Sequence, residues 1–287
     1  MRLPRATMAR PSYQLGYARS AGESAYPGLW KGVVGAWFPC LGPTGGTVFD
    51  ISGYGNHGTL TGMALDTDWV IAQDRYALDF DGSNDEVNVD GVQPLISGGS
   101  ELFLSAWVKL RSYGVVGTAY IRTIMGDDVS ALDGTVNFRV GLDGTDGNKD
   151  KLYGHITTGV RDSIVGTSVL ALNTWYHVAL SWKQNGRKKL YLNGVEEADG
   201  AADTNPIDAD PSGTLFIGDD ETRSRNWDGQ ISGVSISNRV PSPNEVRLLY
   251  IDPLALVRRK EWDVASSAAI ASIIAQIMHH RKQRRRR

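Results

Sequence analysis

Residues 174–195, which read TWYHVALSWKQNGRKKLYLNGV, constrain the fold more than any other part of the chain. Asn185-Gly186 supplies the positive φ angles that a tight hairpin turn needs, and Asn193-Gly194 marks a second turn. The segment before the first turn alternates with period two, as a half-buried strand does, and its apolar face consists of Tyr176, Val178, Leu180 and Trp182. The pattern predicts a β-hairpin whose apolar face lies in a core, with His177 packed on the other face.

Further short apolar segments are separated by turns rich in Gly and Asp. Residues 243–250 predict a short helix capped by Ser242. Strands at this spacing, with no long helical pattern among them, are typical of an antiparallel β-sandwich. The predicted strands are residues 33–38, 76–89 (two strands around a turn at 81–84), 102–110, 121–125, 136–142, 152–157, 214–218 and 229–237.

Charge divides the chain into three parts. Residues 1–31 carry five basic residues and one acidic residue, and residues 258–287 carry nine and two. Between them, residues 32–257 carry sixteen basic and twenty-nine acidic residues. We therefore expect a basic N-terminal arm over residues 1–31 that is ordered only on a partner, a sandwich domain over residues 32–250, and a tail over residues 251–287.

The tail combines an apolar stripe with a polybasic end. Ile270, Ile273, Ile274 and Ile277 recur at helical spacing, which predicts an amphipathic helix, and Arg284, Arg285, Arg286 and Arg287 end the chain. We expect this helix to self-associate or to dock on a partner, with the arginines as an electrostatic anchor to an acidic surface or nucleic acid. The alternative is that the tail lies on a membrane surface. No segment is long and apolar enough to span a bilayer.

Two features bear on the compartment. Cys40 is the only cysteine, which excludes an intrachain disulfide. The N-terminus has Arg and Pro where a signal peptide needs an apolar run, so we expect synthesis in the cytoplasm without secretion by that route.

Five sequence motifs, in chain order, resemble those of the laminin G-like, concanavalin A-like lectin-glucanase superfamily, in the form found in phage and bacterial proteins. They are GAW with DISGYGNHGTL (residues 35–37 and 50–60), ALDFDGSNDEV (77–87), LSAWV (104–108), WYHVA with LYLNG (175–179 and 190–194), and WDGQI with Asn238, Arg239, Ser242 and Glu245 (from 227). The resemblance implies a concanavalin A-like jelly roll over residues 32–250. The chain departs from the motif at Ser232-Gly233, where the family has Asp-Glu.

The resemblance implies ligand sites in loops. Asp50, Asn56 and His57 lie in a Gly-rich loop whose oxygens suit Ca²⁺ or a ligand, with Asp50 and Asn56 as candidate calcium ligands. The alternative, which we favour, is that Asp50 and Asn56 cap backbone N–H groups of the loop. A second acidic stretch, residues 143–150, has part of a calcium-loop spacing, but we expect it to be a solvated turn.

Aromatic side chains are candidates for stacking on sugar rings. Core packing is the expected role of Trp107, Trp175 and Trp182. We place Trp227, next to a loop, among the ligand-binding candidates. Four other aromatic residues could also stack on sugar rings: Trp30, Trp69, Tyr113 and Tyr120.

Catalysis is not expected. Glycosidases of this fold need paired carboxylates on one strand, and the nearest string, from Glu197 to Ala202, lacks the last acid and is predicted to be a turn. We therefore expect a non-catalytic, lectin-like module with possible glycan binding, anchored as an oligomer or as a subunit on the surface of a phage virion. The alternatives are a structural virion or scaffold protein without a ligand, and a carbohydrate-binding module that accompanies a glycosidase. The alternative location is the cytoplasm.

Overall fold

The fold is an antiparallel β-sandwich, as the sequence predicts. The computed structural model describes residues 16–72, 75–113, 122–127, 136–140, 150–159, 161–208, 213–219 and 225–260. Within these residues, sixteen strands form two sheets that pack face to face. Residues 141–149 and the predicted tail helix lie outside the described residues.

Sheet 1 has the strand order β14-β13-β12-β7-β16-β5-β4, and β1 pairs with a further part of β16. Its strands are β1 (Val33–Trp37), β4 (Trp69–Ala72), β5 (Arg75–Asp81), β7 (Glu101–Leu110), β12 (Trp175–Lys183), β13 (Gly186–Leu192), β14 (Val195–Asp203) and β16 (Asp228–Ser237).

Sheet 2 has the order β11-β10-β9-β8-β15-β6-β3-β2. Its strands are β2 (Thr47–Val48), β3 (Gly58–Thr61), β6 (Glu86–Val89), β8 (Arg122–Gly126), β9 (Val136–Val140), β10 (Lys151–Thr157), β11 (Arg161–Val169) and β15 (Leu215–Ile217). The described helices are α1 (Gln93–Ile96), α2 (Pro243–Ile251) and three 3₁₀ turns at Pro27–Trp30, Pro39–Leu41 and Ala255–Val257.

The predicted hairpin is confirmed as β12 and β13. Leu180 faces Leu190 across the pair, and Asn185 at the turn has a φ of 62°. The alternation places Val178, Leu180 and Trp182 in the main core between the sheets, where their apolar surface is removed from water.

One charged side chain lies on this inner face. Lys188 of β13 is fully buried, and its Nζ lies 3.4 Å from Oδ2 of Asp203 on β14. The hydroxyl of Thr158 donates a second hydrogen bond to the same carboxylate oxygen, and the backbone N–H of Asn205 donates to Oδ1 at 3.1 Å. Burial alone would raise the pKa of Asp203, but these hydrogen bonds and the Lys188 charge lower it. The sandwich therefore contains a buried, hydrogen-bonded ion pair.

Helix α2 covers part of the outer face of sheet 1. Its N-terminus is fixed by a capping box in which Ser242 and Glu245 exchange side-chain to backbone hydrogen bonds, as the cap prediction requires. Val246 packs against Phe103, Ala179 and Tyr191, which face away from the main core. Sheet 1 is therefore buried on both faces along this stretch.

The two ends of the described chain pair with each other in a short structure that we call the terminal ladder (residues 17–25 and 257–260). The N–H groups of Ala18 and Ala25 donate to the carbonyls of Val257 and Arg258 at 2.8 Å, and Lys260 donates to Glu23 at 2.8 Å. Beside the ladder, residues 26–30 and 254–257 share a buried apolar cluster. Residues 16–31 therefore pack on the sandwich, in contrast to the expected free arm, while the three-domain division stays a prediction.

Among the described residues, no helix has the length and apolar character needed to cross a bilayer.

The β5–β6 hairpin holds a carboxyl group with an unusual pKa. Asp85 is 3% exposed, and it accepts a hydrogen bond from the N–H of Asp81 at 2.8 Å. Burial, and then the charges of Asp81, Asp68 and Asp79, raise the pKa of Asp85 to about 6. Ionised Asp85 therefore destabilises the folded state.

We expect Asp85→Asn to stabilise the protein at pH 8 by on the order of 2–3 kcal/mol, since each pKa unit corresponds to about 1.4 kcal/mol. A raised folded pKa stabilises the wild type below the unfolded pKa of about 4, and this stabilisation is lost as the pH rises through 6. Urea unfolding of both proteins between pH 4 and pH 8 measures the effect. If Asp85→Asn stabilised the protein equally at pH 4 and at pH 8, this result would contradict the raised pKa of Asp85.

Candidate functional site

A cavity on the outer face of sheet 1 is the candidate ligand site. Its volume is about 180 Å³. Its lining is mostly apolar and aromatic, and consists of Cys40, Ala72, Tyr76, Ala77, Trp107, Trp175, Ser232, Gly233 and Pro253. Pockets of this character are the usual binding sites of small ligands.

The register of sheet 1 produces the cavity. Trp107 of β7 lies between His177 of β12 and Ser232 of β16. Leu104, Ala106 and Val108 are in the main core, so Trp107 points outward. The small side chain of Ser232 cannot fill the space beside the indole, and the cavity opens there.

Helix α2 supports one face of Trp107. The ring of Tyr250 stacks on the indole with a centroid distance of 6.0 Å and an angle of 19° between the planes. Since Tyr250 is not part of the cavity lining, the cavity lies along a different part of the Trp107 ring. Trp107 is thus held by a neighbour while it borders the cavity.

Gly233 is part of the irregular stretch of β16 between Ser232 and Ser235. Its φ is 57°, a conformation that favours glycine, and a Cβ atom there would lie 3.4 Å from Cδ1 of Trp107. The position at which the sequence departs from the family motif is therefore the wall of the cavity, and it carries no carboxylate.

His177 lies beneath the aromatic wall. It is 1% exposed, its Nε2 lies 2.9 Å from Oγ of Ser105, and its ring is 5.5 Å from that of Trp107. Burial lowers the pKa of His177 to about 3, so the ring is neutral at ordinary pH. The expectation of a packed histidine on this strand is confirmed, and it leaves His177 without an acid–base role near pH 7.

The predicted calcium ligand Asp50 organises its own loop. Oδ1 accepts from the N–H groups of Ala36 and Ser52 at 3.0 and 2.8 Å. Oδ2 accepts from the N–H of Asn56 and the hydroxyl of Ser52 at 3.0 and 2.7 Å. These four bonds occupy the acceptor capacity of the carboxylate. The contacts favour the structural alternative over a calcium site at Asp50 and Asn56.

The other two loop candidates differ in exposure. The carbonyl of Asn56 accepts a hydrogen bond from Nε1 of Trp37 at 2.8 Å, which ties the loop to the sandwich. His57 is exposed, its Nδ1 accepts from the N–H of Asp50 at 3.1 Å, and its ring meets Phe49 edge-on. Ligand binding by His57 stays a prediction.

Asp50→Ala is expected to lower the free energy of unfolding by about 2–4 kcal/mol, because buried donors left without an acceptor cost about 1–3 kcal/mol each. Thermal unfolding with Ca²⁺ and with a chelator checks this, with Tyr54→Ala as a control in the same loop, where the side chain is 56% exposed. Equal melting temperatures with Ca²⁺ and with chelator fit the structural role. A large increase with Ca²⁺ that Asp50→Ala abolishes would contradict it.

The ligand role predicted for Trp227 is wrong. Trp227 is fully buried in the main core, and its backbone N–H donates to the carbonyl of Gly218 at 2.6 Å. A sugar ring cannot reach an indole that has no exposed surface. Trp182 is a core residue as expected, whereas Trp107 and Trp175 are part of the cavity wall.

The acidic string that begins at Glu197 is part of strand β14, not a turn. Glu197 Oε1 accepts from the N–H and hydroxyl of Thr167 on β11, both at 2.9 Å. Burial alone would raise the pKa of Glu197, but hydrogen bonds from Ser168 and Thr167 lower it. Its two acidic neighbours form ion pairs, Glu196 with Lys189 and Asp199 with Arg187, each at 2.8 Å. These carboxylates therefore hold the edge strand β14 to β13 and, through Glu197, to sheet 2.

The predicted assembly residues cannot be placed. Ile270, Ile273, Ile274, Ile277 and Arg284 to Arg287 lie outside the described residues. Within the described residues, no group of three or more His, Cys, Asp or Glu side chains is arranged to hold a metal ion.

Comparison with known proteins places the chain among lectin-type sandwiches. A family model described as the concanavalin A-like lectin/glucanases superfamily matches residues 72–247. No curated protein matches the chain in sequence.

Several solved structures resemble the chain in fold. Domain 4 of AbnA, a GH43 extracellular arabinanase from Geobacillus stearothermophilus, in complex with arabinotriose, has a TM-score of 0.55 and 20% identity over 76% of this chain and 98% of that domain. The binding domain of Paraclostridial Mosquitocidal Protein 1 has a TM-score of 0.58 and 17% identity over 77% of this chain and 52% of that one. The receptor binding domain of botulinum neurotoxin C/D mosaic serotype has a TM-score of 0.55 and 16% identity over 77% of this chain and 51% of that one. The chain thus spans about half the length of the two toxin domains.

Proposed function

This chain belongs to the concanavalin A-like lectin/glucanases superfamily, and we propose that it is a non-catalytic, lectin-like recognition module. In this proposal the aromatic cavity binds a glycan, and the two ends of the chain anchor the module in a larger assembly. The assembly we propose is the surface of a phage virion, with the protein made in the host cytoplasm.

The observation that supports glycan recognition most strongly is the cavity itself. Two indole rings border a space of about 180 Å³ that is open to solvent, and the C–H face of a sugar ring can pack on an indole. The arabinanase domain with arabinotriose and the toxin binding domains have the same fold. They support the proposal by analogy of fold only.

The non-catalytic part of the proposal depends on the carboxylates. Hydrolysis of a glycosidic bond needs two carboxylates that flank it. None of the residues that line the cavity is acidic, and the four acids of β14 are engaged in hydrogen bonds or ion pairs. The chemistry of the described residues therefore suits binding better than hydrolysis.

Anchoring through both ends is supported by the terminal ladder. It brings the start of the described chain next to its end, so residues 1–15 and 261–287 continue from neighbouring positions. Exposed Arg19, Arg258 and Lys260 surround this point, and both terminal sequences are themselves basic. Two basic segments at one place would bind an acidic partner together, which raises the effective affinity of each.

A carbohydrate-binding module that accompanies a glycosidase is the second candidate. It is favoured by the likeness to domain 4 of an arabinanase, because this chain covers 98% of that domain. Both candidates use the same glycan site. They differ in the larger assembly to which the terminal segments attach the module. A structural virion or scaffold protein without a ligand is the remaining alternative.

A glycan array probed with the full-length protein tests the recognition function. We expect binding that Trp107→Ala abolishes and Tyr54→Ala leaves unchanged, because Tyr54 is an exposed aromatic outside the cavity. Failure of the wild-type protein to bind any glycan would overturn the lectin proposal and favour the structural alternative.

Light scattering tests anchoring through self-association. The full-length protein should be oligomeric, and a double variant with Ile273→Asp and Ile277→Asp should be monomeric, because charges on an apolar stripe oppose helix packing. Monomeric wild-type protein would contradict self-association and leave docking on a different partner as the role of the tail.

A further inference from the structure

The structure points to the class of ligand: we infer that the aromatic cavity selects a single neutral sugar ring and rejects acidic sugars. This inference rests on the proposed glycan-binding function. It is carried by the size of the cavity, by its hydrogen-bonding groups and by its charge.

Size limits the ligand to one ring. The cavity of about 180 Å³ is smaller than the roughly 300–1,000 Å³ of sites that enclose drug-sized ligands. A longer saccharide therefore places one residue in the cavity and the rest outside. The cavity suits a terminal or protruding sugar.

The aromatic wall has both apolar surface and hydrogen-bond donors. Trp107 and Trp175 present apolar ring surface, and the indole N–H of each has no hydrogen-bond partner among the described residues. A purely apolar ligand that covered these donors would leave them unpaired, which is unfavourable. A sugar ring matches the wall, because its C–H face packs on indole and its hydroxyl groups accept from N–H.

The charge of the site excludes anions. None of the lining residues is charged at neutral pH, so a sugar carboxylate in the cavity would lose water without gaining a cation. Lys109 flanks Trp175 on the neighbouring strand but is not part of the lining. Residues 32–257 carry thirteen more acidic than basic residues, and this excess repels anionic ligands at longer range.

The reactivity of Cys40 can report whether a ligand occupies the cavity. Cys40 is the only cysteine of the sequence, and it is partly exposed in the cavity wall. A bound sugar should slow its alkylation. The rate of iodoacetamide labelling of the full-length protein therefore reports on this cavity alone.

The test compares two panels of ligands. The neutral panel contains methyl glycosides of arabinose, glucose, galactose, mannose and N-acetylglucosamine, and the acidic panel contains glucuronic acid and N-acetylneuraminic acid. We expect at least one neutral sugar at saturation to slow Cys40 labelling at least five-fold, and both acids to leave the rate within two-fold. Saturation-transfer NMR on the same samples measures binding anywhere on the protein.

Two variants test the site and its selectivity. Trp107→Ala should weaken neutral-sugar binding at least ten-fold, while Tyr54→Ala should not change it. Ala72→Lys adds a cation to the lining at a partly exposed position and should admit the acidic sugars. Thermal unfolding of each variant confirms that it is folded before binding is measured.

The outcomes separate the two proposals. Protection of Cys40 by an acidic sugar as strong as that by neutral ones overturns the neutral-sugar inference and leaves the lectin function standing. Binding seen by NMR without protection of Cys40, and unaffected by Trp107→Ala, overturns the assignment to this cavity. No binding of any sugar, here or on the array, overturns the lectin function itself.

Discussion

Lys188→Ala is expected to lower the free energy of unfolding by about 3–5 kcal/mol, because it leaves one charge of a buried ion pair without its partner. Lys188 is fully buried and Asp203 is 9% exposed, so water solvates the remaining carboxylate only in part. Thr158 and Asn205 still donate to Asp203, but neither supplies a positive charge.

Urea unfolding at pH 7 measures this effect, and the next residue supplies the control. Lys189 forms an ion pair with Glu196 in which the side chains are 37% and 43% exposed. Such exposed pairs contribute about 0.2–1 kcal/mol. Lys189→Ala should therefore be nearly neutral, and a similar effect of both substitutions would show that the Lys188 pair does not stabilise the fold.

The same pair determines part of the acid sensitivity. A folded pKa of Asp203 that is lowered contributes stability above the unfolded pKa of about 4, and this stability is lost as the pH falls through the folded pKa. Without the Lys188 charge the lowering is smaller. The unfolding free energy of Lys188→Ala should consequently fall less on acidification than that of the wild type.

Trp227→Ala is the second large effect: we expect a loss of about 3–5 kcal/mol in the free energy of unfolding, as for other buried tryptophans. The side chain has no exposed surface, and its removal leaves a cavity between the sheets. Because Trp227 is not part of the ligand cavity, the variant that remains folded at low temperature should bind glycan with unchanged affinity.

Trp227→Phe is the matched control. It keeps most of the ring and removes an indole N–H that is buried without a hydrogen-bond partner among the described residues. Removing a donor that already lacks a hydrogen-bond partner breaks no hydrogen bond. We therefore expect Trp227→Phe to lower the free energy of unfolding by less than half as much as Trp227→Ala does. A loss of glycan affinity in either variant, with a melting temperature near that of the wild type, would contradict the separation of Trp227 from the glycan site.

The strands that carry a strong apolar alternation were predictable from the sequence, and the edge strand was not. The β12–β13 hairpin has both the alternation and the Asn-Gly turn. Strand β14, with the sequence VEEADGAAD, is polar and contains glycine, and it lies at the edge of sheet 1, where charged residues protect against pairing with other chains. Its conformation comes from its pairing with β13, so local propensity alone cannot identify it.

The orientation of Trp107 in the site could be predicted from the sequence, but two of its contacts could not. Leu102, Leu104, Ala106 and Val108 set the inward parity of β7, and that parity alone places Trp107 on the outward face. Two contributions are not local. Ser232 comes beside Trp107 through the β7–β16 pairing, and Tyr250 comes over it through the packing of α2. Neither sequence separation nor residue type indicates these contacts.

The terminal ladder also has a mechanical consequence. In an antiparallel pair whose two free ends leave on the same side, tension between those ends loads the hydrogen bonds one after another instead of all together. The bonds that Ala18, Ala25 and Lys260 donate would therefore peel open in sequence at low force, while the sandwich stays folded. In the proposed anchored assembly, opening these bonds would lengthen the connection and lower the force that reaches the sandwich.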